Sequence, residues 1–347
     1  MKNQMIIFVG WVNAGRPAFD GETMKNQLLI QQLRKYCDDV CVMDFYGWRK
    51  RPWVCLNLLW TLLIHPSASL VLSSSPLNVY PILKLMFFFR SKRKIIHWAV
   101  GARLLTYTKN GIVKAKYWNY GTINLVQSRA MVQGLHECGV NNVLQVPNSK
   151  PISHIPKKSI DLNHGVKFVF LSRIIPEKGC DLILDAVQFL NQEGYGNGYG
   201  VDFYGKIDKD YHADFIQKTE MFSNVRYQGI INLREEKNYD ELAKYHVMLF
   251  PTFWEGEAFA GVFIDAFIAG LPIIVSDWNH NKEFVKHGET GIVIPAKDTA
   301  ALIQAMKDVI HHKIDIVNMS INCQKEAKNH DTDTVITEEL LKKIGLL

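Results

Sequence analysis

Residues 247–277 read VMLFPTFWEGEAFAGVFIDAFIAGLPIIVSD. The run from Val247 to Phe250 is apolar and short enough for a buried strand. Pro251 opens a turn, and an acidic pair, Glu255 and Glu257, flanks Gly256. From Phe259 to Ile268 apolar residues recur at helical spacing, with Asp265 as the one charge. Gly270 stops the helix, and Pro272 leads into a second apolar strand, Ile273 to Ser276. The order predicts a strand–loop–helix–strand unit of a parallel sheet, with carboxylates gathered where the loop meets a helix N-terminus.

That position has chemical consequences. Ligands of open α/β sheets sit beyond the carboxyl ends of the strands, and the free N–H groups of a helix N-terminus favour an anion such as a diphosphate. A carboxylate there repels phosphate but accepts hydrogen bonds from sugar hydroxyls. Taken alone, Glu257 fits a helix cap as well as a ligand contact. Upstream, Val166 to Ser172 predicts a strand, followed by SRIIPEKGCDLILDA, in which Arg173 and Lys178 are separated by four residues and a helix follows. A lone Arg-x-x-x-x-Lys is weak evidence; at a strand end ahead of the Glu257 unit it gains weight.

The motif Glu-x-Phe-x, the seven residues between Glu257 and Asp265, and the following Ala-x-x-x-Gly-x-Pro-Ile-Ile-x-Ser-Asp resemble the donor-site signature of retaining family-4 glycosyltransferases. The resemblance implies a GT-B fold, α/β, with two Rossmann-like domains facing each other across a cleft. It implies Glu257 as the donor-sugar contact, Asp265 as the ribose contact, and Arg173 and Lys178 as cations flanking the diphosphate. With Glu257 they form the implied catalytic set, two fixed cations stabilising a developing anion without a metal. Gly205 and Gly229-Ile230 resemble positions where backbone passes the diphosphate and the base, and Phe259, Ala260 and Gly261 complete the implied donor site. The family usually has Glu where Asp265 stands and Gly at Ala258 and Ala260. The TFWEGEAFAGVFIDAF variant is similar to bacterial capsule and exopolysaccharide enzymes that act on lipid-diphosphate-linked acceptors, most of them with UDP-sugar donors.

The chain's 347 residues, 48% hydrophobic, suffice for two cores. The expected domains are 1–150, a linker at 151–164, 165–330, and a C-terminal helix at 331–347 returning to the first domain. Six cysteines show no zinc spacing. The opening MKNQMIIFVG has too short an apolar run for a secretion signal, and no stretch reaches membrane-span length, so a cytoplasmic protein is expected. No Gly-x-Gly-x-x-Gly follows the first strand, which disfavours a nicotinamide oxidoreductase. The triplets Asp208-Lys209-Asp210 and Asp331-Thr332-Asp333 are unconvincing as metal sites, and neither metal nor cofactor is expected.

Charge is unevenly spread. Residues 1–150 hold 19 Lys and Arg against 6 Asp and Glu, and the remainder holds 21 against 28. Between Asp44 and Glu137 there is no acid. The apolar, aromatic segments Trp53–Ile64 and Leu77–Phe89 abut basic clusters at Trp48–Arg51 and Arg90–Lys94. They suit either peripheral contact with an anionic membrane or burial as helices of the sheet sandwich. Acceptor-binding candidates, implied by the resemblance, are Gly15, Asp20 and Gly21 in the first loop and Gly101 and Arg103 after the strand ending near Val100. His97 falls in a strand interior and reads as packed, and Tyr107–Asn119 reads as a basic, aromatic insertion facing an acceptor. The partners expected are a nucleotide-sugar and a glycan or polyprenyl-diphosphate-linked acceptor, with no nucleic acid. An epimerase of the same fold, or a non-catalytic anion- or membrane-binding protein, competes with transfer; turnover without acceptor marks the first, binding without turnover the second.

Overall fold

The computed structural model describes residues 5–14 and 21–347. They divide into two compact units, 1–151 with 332–347, and 152–331.

The first unit holds a six-stranded parallel sheet of β1 (Ile6–Gly10), β2 (Val40–Asp44), β3 (Ser69–Ser73), β4 (Ile95–Trp98), β5 (Thr122–Val126) and β6 (Val143–Gln145), ordered β2-β1-β3-β4-β5-β6. Strands β1, β3 and β4 are buried at every position, as parallel strands covered on both faces must be, and the edge strand β2 is only half-buried. Helix Gly21–Tyr36 packs Leu29, Ile30 and Leu33 into one core together with Ile336, Leu341 and Ile344 from the end of the chain. Gln32 Nε2 donates to Asp333 Oδ1 at 2.9 Å and to the Ile336 carbonyl at 3.1 Å, fastening the last residues to this unit.

The second unit repeats the architecture with β7 (Val166–Leu171), β8 (Tyr199–Tyr204), β9 (Val225–Tyr227), β10 (Val247–Phe250), β11 (Ile273–Ser276) and β12 (Gly291–Ile294), ordered β12-β11-β10-β7-β8-β9. The chain runs outward from β7 to β9, then returns to the other side of β7 to lay down β10. The strand order therefore reverses between β7 and β10, the kind of place where open α/β sheets bind ligands. Phe168, Phe170, Phe203, Phe250, Phe263 and Phe267 are fully buried here, and truncating any one to alanine costs about 3–5 kcal/mol.

Two further segments have a defined packing. Within 107–119, helices Arg103–Lys109 and Ala115–Trp118 bury Trp118 completely, its ring 4.7 Å from that of His97, while Lys109, Lys114 and Lys116 remain exposed. The polar stretch 152–164 lies along the second unit, with Ile152, Ile160 and Leu162 against its core and Lys158 Nζ donating to the Ala243 carbonyl at 2.7 Å.

His97, in β4, is fully buried. The Asn124 amide is oriented by its Nδ2 bonds to the Trp118 and Asn142 carbonyls, so its Oδ1 faces His97 Nδ1 at 3.3 Å and the imidazole carries its proton on Nδ1. Burial holds the ring's pKa down at about 4. His246 is likewise lowered to about 4, by burial first and then by Lys158 and Lys167; its Nδ1 accepts from the Lys167 N–H at 3.0 Å and so has no room for a proton. A folded-state pKa below the unfolded value means the unfolded chain binds the extra proton. The stability from each neutral histidine is thus present above the unfolded pKa and is lost as pH falls through the window from about 6.5 to 4, on the order of 3 kcal/mol for His97. Urea unfolding followed across that window is expected to show falling stability on acidification and a shallower fall in His97→Gln; an unchanged slope in the variant contradicts the assignment.

Candidate functional site

At the carboxyl edge of the second sheet, the loops after β7 and β10 are sewn together. The Phe253 N–H donates to the Glu177 carbonyl at 2.8 Å, and Thr252 Oγ1 donates to the same oxygen at 3.3 Å. Gly179, with φ of 85°, lies so close to the strand end that a Cβ there would meet the Pro251 carbonyl oxygen at 2.4 Å. Only glycine fits both the left-handed backbone and that approach. Helix Cys180–Gln192 starts immediately after it.

This stitching brings together two side chains 79 residues apart: Lys178 Nζ donates to Glu257 Oε2 in a buried ion pair. Lys178 and Glu257 are 6% and 7% exposed, which makes the pair costly in desolvation and specific in place. The ammonium also lies 5.1 Å from the centroid of the Phe250 ring. From the far side, Asn279 Nδ2 donates to the Glu257 carbonyl at 3.0 Å, and Trp278 Nε1 to the Trp254 carbonyl at 2.9 Å. The loop after β11 thereby braces the Glu257 loop. Glu257 is not the cap of the next helix; Ala260 holds that position, with no side-chain bond to the first turn of Gly261–Ile268.

Arg173 is exposed, its guanidinium 5.3 Å from the centroid of the Trp254 ring. The adjacent Ile174 N–H donates to the Lys206 carbonyl at 2.9 Å. Gly205, with φ of 147°, packs so tightly that a Cβ would stand 1.7 Å from the Ser172 carbonyl oxygen, and its N–H donates to the Gly229 carbonyl at 2.8 Å. Arg173, Gly205 and Gly229 thus share one edge, with Ile230 exposed beside them. Asp265 is buried one helix turn below the mouth and accepts from Tyr239 Oη at 2.7 Å. Burial first, then Asp265, drive the Tyr239 phenol far above its ordinary pKa, so it remains a donor. The Phe259 ring is stacked on Phe284 at 3.9 Å and the residue is 3% exposed, so its side chain belongs to the core.

In the first unit, Gly21 opens helix Gly21–Tyr36, Gly101 follows β4 with φ of 72°, and exposed Arg103 begins helix Arg103–Lys109. Gly15 and Asp20 lie outside the described residues. Two polar groups here escaped the sequence reading. Asp44, at the end of β2, accepts from the backbone N–H groups of Val12, Asn13, Ala14 and Tyr46 at 2.9–3.2 Å. Burial works to raise its pKa, and the four donors outweigh it and bring the pKa below the ordinary carboxylate value. Lys25 Nζ donates to the Ala99 carbonyl at 3.1 Å, and burial, opposed by Glu22, brings its pKa down to about 8. Neither residue carries a local motif. Among the described residues, no group of three or more His, Cys, Asp or Glu side chains is placed to hold a metal.

Comparison with known proteins gives this geometry a context. Residues 165–312 match the family described as "Glycosyl transferases group 1". D-rhamnosyltransferase WbpZ of Pseudomonas aeruginosa is 27% identical over 160 residues, 45% of this chain and 39% of the relative. CapM of Staphylococcus aureus, a capsular polysaccharide biosynthesis glycosyltransferase, is 22% identical over 182 residues, 52% of this chain and 46% of the relative. The chain thus spans less than half the length of these curated relatives. The crystal structure of HepE from Anabaena in complex with UDP superposes with a TM-score of 0.76 at 14% identity, over 99% of this chain and 100% of that one; the same protein is known in complex with UDP-glucose. The two parallel six-stranded sheets with their helices are the GT-B fold.

The ion pair generates a stability prediction. Removing one partner leaves a buried, uncompensated charge, so Lys178→Met or Glu257→Leu alone is expected to cost about 3–5 kcal/mol. The double variant is expected to recover most of that loss. Urea denaturation of the four proteins checks it, and additive losses would contradict the pairing.

Proposed function

We propose that this chain, whose residues 165–312 are a glycosyl transferases group 1 domain, is a retaining glycosyltransferase that moves a hexose-type sugar from a UDP-sugar to a glycan or lipid-linked acceptor in bacterial cell-surface polysaccharide synthesis. The observation that carries the proposal is the buried Lys178–Glu257 pair at the β7/β10 reversal. A cation and a carboxylate, side by side where such sheets bind ligands, match the two ends of a nucleotide-sugar: diphosphate for the one, sugar hydroxyls for the other. The UDP and UDP-glucose complexes of HepE support the choice of nucleotide, WbpZ as a rhamnosyltransferase supports sugar transfer, and CapM as a capsular polysaccharide biosynthesis glycosyltransferase supports the choice of pathway class.

In this mechanism Lys178 and Arg173 stabilise the charge that develops on the leaving diphosphate. Arg173, exposed over the Trp254 ring, is long enough to reach an anion at this edge. Gly205 and Gly229 let backbone approach the diphosphate and the base, and Ile230 offers an apolar edge. The N–H groups of Ala260 and Gly261 favour a phosphate oxygen, and the Phe259 backbone holds that turn. Asp265, held by Tyr239 Oη at 2.7 Å, is the carboxylate assigned to a ribose hydroxyl. Glu257 orients the donor sugar; an acceptor hydroxyl oxygen bonds to the anomeric carbon on the face from which the diphosphate departs, and the departing diphosphate oxygen takes the hydroxyl proton, so the anomeric configuration is retained. Gly21, Gly101 and Arg103 of the first unit serve the acceptor. The positive charge comes from side chains rather than from a metal ion.

The test is transfer from a panel of UDP-, GDP- and ADP-sugars, with an acceptor-free control for epimerisation. UDP-sugars are expected to turn over, and EDTA to leave the rate unchanged. Arg173→Ala is expected to lose on the order of 100-fold in turnover while keeping the wild-type melting transition; Glu257→Gln is expected to lose a similar factor with a lowered melting transition, because it leaves the Lys178 charge buried and unpaired. Near-normal turnover in both variants would overturn the site assignment.

A further inference from the structure

We propose that one face of the first unit is a docking surface for an anionic lipid bilayer, on which the protein lies peripherally. The proposal rests on exposed apolar area and local charge, and is independent of the sugar-transfer reading.

Helix Trp53–Ile64 contains no charged residue. It buries Val54, Leu58 and Leu62 against the sheet, the i, i+4, i+8 stripe expected of an amphipathic helix. Its opposite face is not polar. Trp53, Leu56, Trp60, Leu63 and Ile64 are all exposed there, Trp60 by 65% and Leu63 by 73%. Helix Pro76–Phe88 repeats the arrangement: Val79, Leu83 and Met86 are buried, while Phe88 and the following Phe89 are exposed by 78% and 66%. The crossovers β2→β3 and β3→β4 step in the same direction across the sheet, so their right-handedness puts both helices on one face. Arg93 ties their ends: its guanidinium donates to the carbonyls of Leu62, His65 and Ala68, each at 2.7 Å. The exposed apolar side chains of both helices thus lie on the same side of the sheet, and exposed apolar area of that kind marks interaction sites.

Charge selects the occupant. Arg49 and Lys50 precede the first helix, Lys84 lies on the second, and Arg90 and Lys92 follow it; all five are exposed. No acid occurs between Asp44 and Glu137 to offset them. Two copies meeting through this face would bring these cations against one another. A bilayer with anionic headgroups satisfies both features, taking up Trp, Leu and Phe at the interface while its phosphates attract the cations. No described helix is long and apolar enough to cross the membrane, so the helices lie on it.

Flotation of the full chain with vesicles of equal parts phosphatidylglycerol and phosphatidylcholine tests the proposal, with pure phosphatidylcholine as the comparison and no nucleotide present. The protein is expected to float with the anionic vesicles, to bind neutral ones at least about tenfold more weakly, and to be released as salt rises. Leu63→Ser/Phe88→Ser and Arg49→Ser/Lys50→Ser are each expected to lose about tenfold or more in partitioning, with urea unfolding unchanged because the altered side chains are exposed. Failure of the wild-type protein to float, or undiminished binding by both double variants, overturns the proposal. So does a dimer in sedimentation equilibrium that Leu63→Ser/Phe88→Ser abolishes while no vesicle binding occurs, which gives the face to a second copy.

Discussion

An ammonium and a carboxylate held out of water against each other, Lys178 and Glu257, are the constraint around which the second unit is arranged. Neither charge is tolerable in its place without the other. Their meeting requires the β7 and β10 loops to run in contact, which in turn requires glycine at 179 and the bond from Phe253 N–H to the Glu177 carbonyl. It also requires β10 to lie beside β7, which the reversal of strand order provides. A well-packed apolar pair would serve stability as well or better. That the chain holds charges here instead is the physical reason to look for ligand chemistry at this edge and not elsewhere on the unit.

The same sheet architecture is put to a different use in the first unit. Its front face is closed by helix Gly21–Tyr36 and the last residues of the chain, with Gln32 bonding Asp333 and the Ile336 carbonyl. Across the sheet, two helices bury one apolar stripe each and leave a second in the open. Aromatic rings and cations alternate there without a single acid. One fold therefore carries a ligand edge made from buried charge in one unit and an exposed surface made from apolar groups and unopposed cations in the other.

Much of this was legible in the residues. The helical spacing of Trp53–Ile64 and Arg129–Glu137, and the short apolar runs of β10 and β11, state their own structure because local periodicity determines it. Likeness to a known signature pointed to Glu257, Lys178 and Arg173, but that Lys178 and Glu257 form a pair is a property of strand order and not of any window. The clasp of Tyr239 on Asp265 and the cradle of four backbone N–H groups around Asp44 were invisible for the same reason. Phe259 stands in the motif, and that its ring packs on Phe284 is likewise set by tertiary contact and not by the window. At 107–119 the cations are legible as exposed, but the burial of Trp118 beside His97 is set by contacts outside that window.

The most direct measurement is the location of UDP in crystals of the protein soaked with it. The account predicts the diphosphate at the carboxyl edge of β7 and β10, with an oxygen within hydrogen-bond distance of Lys178 Nζ. A nucleotide bound at any other place, with Lys178 and Glu257 still paired and untouched, would contradict it.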